Sequence, residues 1–150
     1  MGAVNLPFRL GIDTDCLIYF GEWEGSARQE FIESEVFGDA RRVVIASVLT
    51  LSELLVKRYQ TGTSEDAVEA RFSLEALPGL IWVETTADIA QEAARLRSAH
   101  RALRLPDAIH IATAAIAGAE AFLTNDGRLK ASAGVATVPI LVLDEIAGTA

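Results

Sequence analysis

The chain has 150 residues, 51% of them hydrophobic, with a mean hydropathy of +0.29 and no low-complexity tract, which predicts one compact domain over 1–150 rather than disorder. Asp and Glu (21) outnumber Lys and Arg (13), and the net charge of −8 excludes the broad basic surface of a DNA-coating or membrane-surface protein. Cys16 is the only cysteine, so an intramolecular disulfide, a CxxC redox pair and a cysteine-rich zinc site are all excluded; with no basic leader at 1–10 and no apolar run approaching the roughly 18 residues of a membrane span, a soluble cytoplasmic protein is expected.

Phe8, Leu10 and Ile12 alternate with Arg9 and Gly11, predicting a first strand whose C-terminal end delivers Asp13. A helix is expected over 26–36, a second strand at Val43, Val44 and Ile45, and helices over 51–59 and 64–77. After the breakers Pro78 and Gly79 comes a strand at 80–83, then helices over 87–103 and 106–117, and strands at 121–123 and 138–143. Strands alternating with helices imply parallel pairing through right-handed crossovers. The expected fold is therefore an α/β, three-layer α/β/α sandwich on a short, mainly parallel five-stranded sheet. Ligands of such sheets sit beyond the carboxyl ends of the strands, so the residues just after each strand matter most.

Four segments place an acid there or at a helix start. Asp13 and Asp15 follow the first strand, where either one also suits a helix cap. Glu53 follows the second strand; Thr50 and Glu53 have capping-box spacing, which on this segment alone is the favoured reading, whereas a helix starting nearer Ser47 puts Glu53 in its body among Leu51, Leu54 and Leu55, where a carboxylate needs a partner. Asp107 follows Pro106 in the first turn of an otherwise small and apolar helix, a position that the helix dipole favours. His110, one turn further on, reads as a packed or hydrogen-bonded core histidine before it reads as a ligand. Thr124, Asn125 and Asp126 close the fourth strand with ordinary turn chemistry. Taken singly, each acid has a structural explanation. Taken together, they converge on one sheet edge, and four clustered carboxylates repel one another unless cations are bound. Such all-oxygen donors suit Mg2+ or Mn2+.

The order Ile12-Asp13-Thr14, then Ser47 with Glu53-Leu54, then Asp107-Ala108 opening an alanine-rich helix, then Thr124-Asn125-Asp126, resembles a PIN domain, and the single-domain length is most similar to the VapC-type ribonuclease toxins of toxin–antitoxin modules. The resemblance runs from Arg9 to Leu143. It implies that Asp13, Glu53, Asp107 and Asp126 form an acidic metal site holding one or two ions, with Thr124 beside it. It also implies an RNA substrate, a small antitoxin partner and a homodimer. Asp15 departs from the pattern, since relatives often carry Asn there. Its added charge leaves two roles open, helping to hold metal water or only capping the helix.

The chemistry expected of such a site is phosphodiester hydrolysis, with divalent ions activating water and neutralising charge on phosphate. RNA attraction to an acidic chain needs a local basic patch. In the helix expected before Asp107, Arg97, Arg101 and Arg104 are spaced four and three apart and so share one face, and Arg128 and Lys130, just past Asp126, extend the patch. A solvated arginine face is the plainer reading of that stripe. Trp23 and Trp82 have the chemistry to stack on bases, although packing suits both better. Two other functions compete: a haloacid-dehalogenase-like phosphatase using Asp13 of the Asp13-Thr14-Asp15 run, and a catalytically silent PIN-like module for protein binding.

Overall fold

The computed structural model describes residues 4–20 and 25–148. Its centre is a five-stranded sheet of β1 (Arg9–Ile12), β2 (Val43–Ser47), β3 (Leu80–Val83), β4 (Ala121–Thr124) and β5 (Ile140–Val142), ordered β3-β2-β1-β4-β5. Every neighbouring pair is parallel, with Gly11 opposite Ile45 and Phe122, and Ile12 opposite Leu123. β1 lies between β2 and β4 and is parallel to both, so the carboxyl ends of β1, β2 and β4 lie together at one edge.

Helices cover both faces. On one side, Leu10, Ile12, Val44, Ala46 and Leu123 pack under α1 (Thr14–Leu17) and the π-helical turn Ile32–Val36 that continues α2 (Ala27–Phe31). On the other, Phe122 and Ile140 pack under α5 (Ala87–Ala99) and α6 (Leu105–Ile116). The three layers follow from strand alternation, since Phe122 points opposite to its neighbours Ala121 and Leu123. A Cβ on Gly11 would stand 2.5 Å from the Ala114 Cβ and 3.2 Å from the Phe122 ring, so glycine lets α6 lie directly on β1. The remaining helices are α3 (Leu49–Thr61), α4 (Ser64–Glu75) and α7 (Leu143–Ile146). Among the described residues, no helix is long and apolar enough to cross a membrane.

Three sequence expectations need correction. The helix expected over 87–103 ends at Ala99, because His100 turns extended and buried Leu103 drops into the core before Arg104, itself extended, takes the N-cap position of a new helix with Pro106 in its first turn. Arg97, Arg101 and Arg104 therefore do not share one helical face. The strand expected over 138–143 is confined to Ile140–Val142, since Pro139 has no N–H to donate and Leu143 begins α7. Lastly, α3 starts at Leu49 with the Ser47 hydroxyl accepting from Leu49 N at 3.2 Å, so Thr50 and Glu53 form no capping box. Thr50 is instead fully buried, its hydroxyl 2.9 Å from that of Thr14.

Candidate metal centre

Asp13 stands where β1 gives way to α1, and it serves as the α1 cap: Oδ1 accepts from Thr14 N at 2.9 Å. Its other oxygen accepts from the Thr124 hydroxyl of β4 at 2.8 Å. Asp13 is only 6% exposed, and among the described residues no cationic side chain hydrogen-bonds to it. Burial, and next the charge of Asp15, push its carboxyl up to about 7. Asp15 is also raised by burial, and its two oxygens accept from Asn125 N at 3.1 Å, which ties α1 to the loop after β4. Thr124 is the hub of this cluster. Its hydroxyl also accepts from Asp126 N at 3.0 Å, and the Asn125 side chain continues the network by accepting from Asp144 N at 3.1 Å.

Asp126, Asp107 and Glu53 are each held by a basic side chain. Asp126 caps the 3-10 turn Gly127–Ser132 and takes the Arg128 guanidinium at 2.6 to 3.2 Å, which keeps its carboxyl below the usual range. Asp107 in the first turn of α6 accepts from Arg104 Nε at 2.9 Å. Glu53 on α3 has an oxygen 2.5 Å from His110 Nε2, and that hydrogen bond lowers its carboxyl. His110 is buried, which disfavours its charge, but the Glu53 bond and the charges of Asp13, Glu53 and Asp107 prevail and raise it. These cross-influences put all four acids in one neighbourhood: Asp13 and Asp107 both act on His110, Asp107 on Arg128, and Asp126 on Asp15.

The basic residues are more dispersed than the sequence suggested. Only Arg104 and Arg128, with side chains 65% and 75% exposed, stand on the acids. Arg97 donates back to the Leu103 carbonyl at 3.3 Å, Arg101 lies exposed in the turn after α5, and Lys130 pairs with Glu145. Trp82 is half-buried against the first core, and Trp23 lies outside the described residues. The contact that sequence reasoning missed is His110 on Glu53. Its three-residue spacing from Asp107 signals a shared face, but nothing local points to Glu53.

A family model described as "PIN domain" matches residues 11–146. The chain belongs to the PIN-domain family. Solved structures similar to this PIN domain include a toxin–antitoxin complex from Klebsiella pneumoniae, at 21% identity and a TM-score of 0.65, covering 90% of this chain and 97% of that one. FitAcB from Neisseria gonorrhoeae follows at 18% identity and 0.66, covering 89% and 97%. VapBC2 from Rickettsia felis, bound to a DNA fragment from its promoter, is similar at 14% identity and 0.67, with the same coverage of 89% and 97%. No curated protein matches the sequence. PIN-domain toxins are generally nucleases that use divalent metal ions.

The donor set of this PIN domain fits such an ion. Every acid offers hard carboxylate oxygen, and Asp13 is a buried carboxylate for which a cation would offset the desolvation. Among the described residues, no three acidic, histidine or cysteine side chains form a ready-made ligand cluster. Asp107 and Asp126 are turned onto Arg104 and Arg128. Both arginines are largely exposed, so rotating them into solvent frees the two carboxylates without disturbing the core.

Proposed function

We propose that this chain is a ribonuclease dependent on Mg2+ or Mn2+, cleaving RNA phosphodiester bonds in the cytoplasm as the toxin of a type II toxin–antitoxin pair. The observation that carries this reading is Asp13, a buried carboxylate without a cationic hydrogen-bond partner among the described residues, at a sheet edge it shares with three more acids. Asp13, Glu53, Asp107 and Asp126 would hold one or two ions. When bound, a divalent ion supplies activation of water and neutralises charge developing on the phosphate. The chain's own residues do the positioning. Thr124 orients Asp13, and Asp15 and Thr124 anchor the Asn125 and Asp126 backbone beside it. Arg104 and Arg128, exposed and adjacent to the acids, are placed to take phosphate oxygens. The likeness to a toxin–antitoxin complex and to VapBC2 supports a small antitoxin partner, and a homodimer is proposed on the same family resemblance.

Purified chain incubated with single-stranded RNA should cleave it in Mn2+ or Mg2+ and not in a chelator, and Asp13→Asn or Asp107→Asn should lower the rate by at least about a hundredfold. Undiminished cleavage in chelator, or by either variant, would remove the metal centre. The family match over 11–146 leaves the phosphatase reading without support. Hydrolysis of a phosphomonoester through a phosphoaspartyl species at Asp13 would revive it. Absence of both reactions would favour a binding module.

A further inference from the structure

α6 from Leu105 to Ile116 is built of small and apolar residues, and packing alone gives it no need for a ring with two nitrogens at position 110. His110 lies three residues after Asp107, hence on the same face one turn deeper. Its side chain is 1% exposed, so it cannot meet RNA, whereas the Glu53 side chain it touches is 43% exposed. The contact joins α6 to α3, 57 residues apart in sequence, with Nε2 2.5 Å from Glu53 Oε1. The ring's Nδ1 is buried with no hydrogen-bond partner among the described residues, so the hydrogen bonding of this imidazole runs through Nε2 to Glu53.

Glu53 needs such a holder. Asp13 is short and fixed at both oxygens, but Glu53 has three side-chain torsions and projects from a helix towards solvent. Without a fixed donor its carboxylate would spread over many rotamers. We propose that His110 is a positioning residue, which grips Glu53 Oε1 and so limits the rotamers of a carboxylate that would help Asp13 and Asp107 hold an ion. This role rests on the metal-centre reading above and deepens it: α6 contributes one acid directly and orients a second that comes from α3. Hydrogen-bond partners of ligating carboxylates commonly change metal affinity by about 10 to 100 fold when removed.

The test measures Mn2+ binding to the full chain by electron paramagnetic resonance, with no RNA present. His110→Leu keeps the volume and removes the donor, and should weaken Mn2+ binding at least about tenfold. His110→Gln places an amide nitrogen near the position of Nε2 and should restore most of that loss. In a Glu53→Gln background, His110→Leu should have little further effect. Equal Mn2+ affinity in wild type and His110→Leu would overturn the role and leave the metal centre standing. Failure of the wild type to bind Mn2+ would overturn the metal centre and this role with it. A loss in His110→Gln as deep as in His110→Leu would also overturn it, pointing to the ring as a direct ligand. If His110→Leu does not fold, proton NMR of the metal-free chain decides. A slowly exchanging downfield ring N–H that moves in Glu53→Gln and stays in Asp126→Asn supports the grip, and one unmoved by Glu53→Gln contradicts it.

Discussion

Asp13 is both a helix cap and the centre of an acidic cluster, and the two uses do not conflict because Thr14 N takes one oxygen and the Thr124 hydroxyl the other. Its ionisation works against the metal-free fold. A carboxyl raised to about 7 in the folded chain, from an ordinary value of 3.8, costs stability that is absent below pH 3.8, grows as pH rises and is complete above about pH 7. Asp13→Asn in chelator should therefore be more stable than wild type by roughly 1–3 kcal/mol at pH 8, with the gain shrinking towards pH 4, as urea unfolding would show. The Asn amide can donate to Thr124 once that hydroxyl rotates. The arginines belong to the same scale. Replacing Arg104 and Arg128 with Gln should weaken RNA binding across sequences and flatten its salt dependence by roughly 0.7 in slope per lost single-strand contact, while Arg97→Gln and Arg101→Gln leave the slope unchanged. Titrating RNA binding against salt separates the two pairs.

At the scale of elements, β1 and α6 are the pair on which the site depends. Gly11 brings them together, and α6 carries Asp107 and His110. Gly11→Ala puts a methyl 2.5 Å from the Ala114 Cβ, which has no torsion with which to yield. It should cost about 1–3 kcal/mol by thermal unfolding and reduce nuclease activity by displacing α6. The strands were legible in sequence because Val43, Val44 and Ile45, or Ala121 to Leu123, are apolar runs that suit a sheet covered on both faces. Element ends set by tertiary contacts were not. Thr50 and Glu53 have the spacing of a capping box, but Thr50 is taken by Thr14 from 36 residues away. Likewise the periodicity of 87–103 continues past Ala99, where the burial of Leu103 and the demands of Pro106 end the helix. The positions of the four acids after strands and at helix starts were legible, because strand ends converge in a parallel sheet. Their side-chain partners were not, since Glu53 meets His110 only through the fold.

Over the whole molecule, a net charge of −8 sits awkwardly with an RNA substrate, and the arrangement of the acids eases the difficulty. Half of that excess equals the charge of Asp13, Glu53, Asp107 and Asp126, so about two divalent ions at that edge would neutralise the site where phosphate must approach. The same edge then presents Arg104 and Arg128 outward. The acids stand just after β1, on α3, in the first turn of α6 and in the turn after β4. Anomalous scattering from crystals soaked in Mn2+ tests the central claim most directly. The account predicts one or two manganese peaks within coordination distance of Asp13 and its neighbouring acids, with the Arg104 and Arg128 side chains swung off Asp107 and Asp126. No peak at Asp13, with both arginine pairs intact in saturating Mn2+, would contradict it.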